Sequence, residues 1–198
     1  MRVISGTAKG RRLLAVPGEK TRPVTDRVKE ALFDIIGGDV VGSTWWDIYA
    51  GTGAVGIEAL SRGAAYVRFT EMQSAALRTI RSNLATTRLE TKADVRQANA
   101  NVLVASRADR QFDYLYVAPP QYKGIWSQTC MALDANVRWL SEDGWIVAQM
   151  HPKEYEALHL RRLQEFDSRR YGTTLLVFYQ IRLPDLEEPP PSATSTAR

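Results

Sequence analysis

The sequence predicts an α/β protein built on a mostly parallel sheet with helices on both faces. Three observations carry this. Short apolar runs alternate with amphipathic segments from residue 45 onward, a glycine loop Gly51-x-Gly53-x-x-Gly56 joins the first run to its helix, and the last two runs flank a Tyr171-Gly172 turn as an antiparallel hairpin. A chain of 198 residues, 44% apolar and 9% aromatic, suits one globular unit with a small appendage and excludes wholesale disorder. Its longest apolar runs are far short of a bilayer span, and the N-terminus lacks the apolar core of a signal peptide. The single Cys130 has no internal disulfide partner, so a cytoplasmic setting is expected.

Taken in order, Arg2 to Ser5 and Arg12 to Val16 read as a short basic hairpin around the Gly6 to Gly10 turn. Thr25 or Asp26 caps a helix carrying Val28, Leu32, Phe33, Ile35 and Ile36, which stops at Gly37-Gly38. Strands follow at Trp45 to Tyr49, Tyr66 to Thr70, Asp94 to Gln97, Phe112 to Val117 and Trp145 to Met150. Helices fill Ala54 to Arg62, the segment with Ala75, Leu77, Ile80 and Leu84, and the segment with Met131, Leu133, Val137 and Leu140. Phe166 to Arg170 and Thr173 to Ile181 form the hairpin, and the proline-rich stretch 183–198 is expected to be disordered. The domains are therefore a basic extension over 1–38, a cofactor domain over 39–182 and a tail over 183–198.

Charge sharpens this division. The whole chain carries a formal +4 with a pI near 9.3, yet residues 1 to 30 alone carry a net +5 and the remainder is nearly neutral. Basic excess in one segment suits a polyanion, because each Lys or Arg on a phosphate releases counterions; a solvated basic surface is the other reading.

The glycine loop permits a tight turn, close backbone approach and a helix N-terminus facing negative charge. Glu71 ends the next strand, where a carboxylate accepts from ribose hydroxyls. Strand, loop, helix and acid together mark a nucleoside-cofactor site. Asp47 inside the first strand is unusual for a dinucleotide but suits the ammonium of S-adenosylmethionine. The fourth strand runs into Ala118-Pro119-Pro120-Gln121-Tyr122, a turn overlooking the same crevice.

That turn resembles the motif of amino-methylating methyltransferases, which is Asp or Asn, Pro, Pro, then an aromatic. With Ile4-Ser5-Gly6, Lys9-Gly10-Arg11, Thr21-Arg22-Pro23, Asp26 to Phe33, Ala50 to Ala54, Glu58 to Ala64 and Tyr171-Gly172, residues 2 to 181 resemble the RsmD-type family. The resemblance implies a seven-stranded class I S-adenosylmethionine-dependent methyltransferase, Rossmann-like, with an N-terminal hairpin and helix extension. It implies methyl transfer to guanine N2 of small-subunit ribosomal RNA, free or in the assembled subunit, by a monomer needing neither metal nor membrane.

On this resemblance Asp47, Gly51, Gly53, Gly56, Glu71 and Asn99 bind cofactor. Ala118, Pro119, Pro120 and Tyr122 form the catalytic turn, and Lys9, Arg11, Arg12, Arg22 and Arg27 contact RNA. Two departures fall on this turn. Ala118 replaces the amine-orienting side chain, leaving the carbonyls of Ala118 and Pro119, and Gln121 replaces the aromatic, which Tyr122 supplies one residue later. Asn99 stands where an acid would accept from adenine's amino group, and Gln149 stands for a family Glu. Cys130 is expected in the core, the tryptophans mostly in the core or the crevice wall, and His151 at the surface. The alternatives are an RNA- or cofactor-binding homologue weakened at Ala118 and, from the glycine loop with Glu71 alone, a nicotinamide-dependent oxidoreductase.

Overall fold

A computed structural model of the chain describes residues 1–18 and 24–183. Thr25 caps α1 (Asp26–Ile36) by accepting from Val28 N. Then follow β1 (Thr44–Asp47), α2 (Ala54–Ser61), β2 (Tyr66–Glu71), α3 (Ser74–Thr87), β3 (Ala93–Gln97) and α4 (Ala100–Ala105). The chain continues with β4 (Phe112–Val117), α5 (Ile125–Ala135), β5 (Leu140–Met150), β6 (Leu163–Tyr171) and β7 (Thr174–Ile181). The seven strands form one sheet in the order β3-β2-β1-β4-β5-β7-β6. Strands β1 to β5 pair in parallel, and β7 joins β5 and β6 antiparallel. The order reverses between β1 and β4, and a crevice opens beyond strand ends at such a switch point.

Alternation along β1 divides the interior. Trp45 faces a core shared by α1, α2, α3 and the N-terminal residues Val3, Ala8 and Leu13, whereas Trp46 faces α4, α5 and Trp139. Cys130 is fully buried in the second core, where burial pushes its thiol up to about 12, so it packs as a small apolar residue. Trp145 is partly exposed; the other four tryptophans are buried. No helix among the described residues is long and apolar enough to cross a membrane.

Some expectations need correction. The N-terminal hairpin reduces to a single antiparallel bridge between Arg2 and Arg12, because the Gly6 to Gly10 turn consumes the intervening residues. Helix α5 ends at Ala135; Val137 lies in a 3-10 turn and Leu140 already begins β5. Helix α4 was not anticipated, being six residues long with Asn99 as its cap. Arg22 and residues 184–198 lie outside the described residues.

The N-terminal arm is stitched to the helix that follows the glycine loop. The Glu58 carboxylate, fully buried on α2, accepts from Ile4 N, Ser5 N, Lys29 Nζ and Arg62 Nε. A Cβ on Gly6 would fall 1.7 Å from the Ser61 carbonyl oxygen, so only glycine permits this approach at its φ of +80°. Lys29 is therefore a buried structural residue and adds nothing to the basic surface.

Candidate active site

The loop after β1 is fixed almost wholly by backbone groups. Gly51 and Gly53 have φ of +52° and +76°, and Gly53 caps α2 in the left-handed region. A Cβ on Gly56 would fall 2.3 Å from the Phe69 ring, so this glycine lets α2 lie directly on β2. Glu71, closing β2, accepts from Gly51 N at 3.0 Å and from Met72 N and Gln73 N at 2.8 and 2.9 Å. It thus fastens the glycine loop to the start of α3. Asn83 does the same from α3, donating to Thr52 O at 3.0 Å while exchanging two bonds with Leu14 of the arm.

Asp47 ends β1 in the same crevice and is 3% exposed. Its Oδ2 accepts from Gly56 N at 3.3 Å. Burial, only partly offset by this bond and reinforced by the nearby Glu71, raises its carboxyl to about 7. A buried acid held this way suits a cationic ligand group, which would restore its charge. Asn99 is exposed and uses Oδ1 to cap α4 through Asn101 N at 3.0 Å; an amide oxygen retains a second lone pair.

The neighbouring strand β4 brings the other half. Tyr116 pairs in register with Asp47, and its buried hydroxyl donates to Gln149 Oε1 on β5. Ala118 is half-buried, Pro119 buried, and Pro120 and Gln121 exposed. Tyr122 is 66% exposed with φ of +61°, a conformation rare for a side chain of this size. Its N–H donates to Glu154 Oε1, and its ring lies 5.6 Å from that of His151, just beyond β5. The structure thus brings Asp47, Gly51, Gly53, Gly56, Glu71, Pro119 and Tyr122 to the strand ends flanking the switch point. Asn99 comes from the end of the adjacent β3, and the Pro turn carries Ala118 and Pro120 with it.

With a seven-stranded sheet ending in an antiparallel strand, a glycine loop at the switch point and a double-proline turn beside it, the relatives become decisive. A family model described as Conserved hypothetical protein 95 matches residues 1–180. Ribosomal RNA small subunit methyltransferase D of Escherichia coli strain K12 is 34% identical over 75% of this chain and 74% of its own length. The chain belongs to the RsmD-type family. YlbH of Bacillus subtilis, which carries a provisional rRNA methyltransferase name, is 42% identical over 92% of this chain and 100% of its own length. Among solved structures, the Escherichia coli protein yhhF, provisionally named a methyltransferase, superposes with a TM-score of 0.80 at 30% identity, covering 91% of this chain and 97% of that one. This RsmD-type chain therefore has the Rossmann-like methyltransferase fold.

The arm residues Lys9, Arg11, Arg12 and Arg27 are all exposed. Arg11 donates to Thr86 O on α3, and Lys9 borders a depression of about 270 Å³ with Arg2 and Glu30. A larger depression of about 520 Å³, lined in part by Arg107, Arg138 and Arg162, lies at the opposite end of the sheet and contains none of the crevice residues. Convergence of residues, rather than volume, marks the site. Glu154 was not anticipated. Its one sequence signal is the spacing His151-Pro152-Lys153-Glu154, a capping box closed here by His151 accepting from Lys153 N and Glu154 accepting from His151 N.

Proposed function

We propose that this enzyme transfers a methyl group from S-adenosylmethionine to the exocyclic N2 amine of a guanine in small-subunit ribosomal RNA. The observation that carries the reading is the pairing, across the switch point, of a buried Asp47 beside the glycine loop with the proline turn of β4. Asp47 would hold the cofactor's ammonium, Glu71 its ribose hydroxyls beside Gly51, and Asn99 its adenine. Gly51, Gly53 and Gly56 let the backbone approach. The residues present fit a cofactor that is cationic at one end and a nucleoside at the other. The bound cofactor would supply an electrophilic methyl on sulfur.

The chain's own task is alignment and charge. The guanine amine is a poor nucleophile, its lone pair being delocalised into the ring. The carbonyls of Ala118 and Pro119 accept its hydrogens, localising that pair, while Pro119 and Pro120 fix the carbonyl directions. Once the amine has taken the methyl that the cofactor would supply, its surplus proton would pass to solvent from the hydrogens these carbonyls hold. Loss of one positioned acceptor typically costs about 2.7 to 4 kcal/mol of transition-state stabilisation, so Ala118 makes this a slower catalyst than a carboxamide would. Tyr122 stacks on the extruded base. The extension 1–38 docks RNA phosphates through Lys9, Arg11, Arg12, Arg22 and Arg27.

Ala118 also motivates a second reading, in which the protein keeps cofactor and RNA affinity without transfer. Separate titrations with S-adenosylhomocysteine and NAD test the cofactor assignment; binding of NAD alone would sink it.

A further inference from the structure

We infer that Glu154, on the connection after β5, is the positioning residue that holds Tyr122 as a base platform, with His151 as its second ring. The inference rests on the reading of Tyr122 as a stacking residue and explains how the aromatic can act one place later than the family pattern sets it.

A tyrosine at φ +61° is disfavoured by contact between its Cβ and the following carbonyl, and such strain persists only where the surroundings hold it. The turn itself holds little. Gln121, Tyr122, Lys123 and Gly124 are all exposed, and the next helix begins only at Ile125. The described side-chain hydrogen bond to the Tyr122 backbone comes from Glu154, 32 residues away. The same carboxylate accepts from His151 N at 3.3 Å, and His151 Nδ1 accepts from Lys153 N at 3.1 Å. One carboxylate therefore ties the turn after β4 to the segment after β5 and sets the two rings 5.6 Å apart at an angle of 39°.

The left-handed residue is the means of redirection. Gln121 is exposed and offers no ring, and the positive φ of the next residue re-aims the Tyr122 Cβ relative to an extended backbone. His151 follows Met150, the last residue of β5, so the ring pair stands over the strand ends that carry Ala118 and Gln149. A purine entering there meets an exposed phenol ring backed by an imidazole, and sequence-tolerant stacking of this kind needs only a correctly presented face.

The test separates holding from folding. Protein with ¹³C-labelled tyrosine rings, saturated with S-adenosylhomocysteine, is titrated with guanosine 5′-monophosphate, the Tyr122 resonance being assigned by its loss in Tyr122→Phe. The Tyr122 signal should shift in wild type and in Glu154→Gln with the same midpoint, since a carboxamide oxygen still accepts from Tyr122 N. In Glu154→Ala the midpoint should rise at least fivefold and the Tyr122 amide should exchange at least tenfold faster, with S-adenosylhomocysteine affinity unchanged. An unmoved Tyr122 signal, equal midpoints in Glu154→Ala and wild type, or a Glu154→Gln as weak as Glu154→Ala overturns the inference. Absence of methyl transfer by wild type to ribosomal subunits, with the nucleotide-induced shift intact, would instead sink the functional reading and leave this one standing.

Discussion

The loop after β1 and the turn after β4 flank the same switch point but are built in opposite ways. Residues 47–56 are mostly buried; Gly51 N and Gly56 N donate to Glu71 and Asp47, and Thr52 O accepts from Asn83, so three separate elements hold the loop. Residues 118–124 are mostly exposed, and their strained Tyr122 is bonded to one distant carboxylate. On the proposed reading the cofactor would meet a many-bonded, rigid loop, whereas the acceptor base would meet a thinly supported turn. Ala118 and Gln121, the two positions that differ from the double-proline motif, lie on the second.

The arm packed on the helix that follows the first region can be loosened at Glu58. Glu58→Ala leaves the buried Lys29 ammonium without its counter-ion and the amides of Ile4 and Ser5 without their acceptor, and losing one partner of a buried ion pair costs about 3–5 kcal/mol. Denaturant unfolding should show a loss of that size, while Glu58→Gln should recover part of it through its amide oxygen.

Asp47 gives a pH-dependent version of the same test. Its folded carboxyl lies near 7 against an ordinary 3.8, so the folded protein binds the proton more tightly than the unfolded chain. Its contribution is most favourable below pH 3.8 and is lost as pH rises toward 7, by roughly 4 kcal/mol at most. Asp47→Asn should remove that slope, leaving a protein more stable than wild type above pH 7 in thermal melts. Because the cofactor's ammonium requires the ionised form, wild-type affinity for S-adenosylhomocysteine should fall about tenfold per pH unit below 7 in calorimetric titrations. A flat profile there would contradict the role given to Asp47.

Gly56→Ala sharpens the comparison on the packing side. A methyl group 2.3 Å from the Phe69 ring forces α2 off β2, and overpacking of this kind costs about 1–3 kcal/mol. Cofactor affinity should fall with stability, whereas Gln121→Ala in the exposed turn should leave the melting temperature unchanged. The smallest effect belongs to the arm. Arg11→Ala and Arg12→Ala should each weaken binding to small ribosomal subunits by about three- to tenfold and flatten its salt dependence, with cofactor affinity unaltered.

The two regions also differ in how far the sequence reveals them. The glycine loop is legible because its geometry demands residue types: left-handed φ at Gly51 and Gly53, and no Cβ at Gly56. Glu71 is equally visible as the acid ending the next strand. The turn is not legible in this way, since nothing local announces that Tyr122 is left-handed or that Glu154 holds it. Elsewhere, α4 was hidden by its shortness, and Val137 with Leu140 kept a helical spacing across a boundary where a 3-10 turn passes into β5. The +5 of the first 30 residues proved coarser than it looked, because Lys29 is buried on Glu58 and Arg2 pairs with Asp26 at 3.3 Å. Among the described residues of this segment, the exposed cations besides Arg2 are Lys9, Arg11, Arg12 and Arg27.

The most direct test mixes wild type and Ala118→Asp separately with labelled S-adenosylmethionine and under-modified small ribosomal subunits, then locates the label after nucleoside digestion. Wild type should place it on guanine N2, and Ala118→Asp, which adds a side-chain acceptor, should do so about a hundredfold faster or more. Label in the substituted protein alone, or on another atom in wild type, would contradict the account.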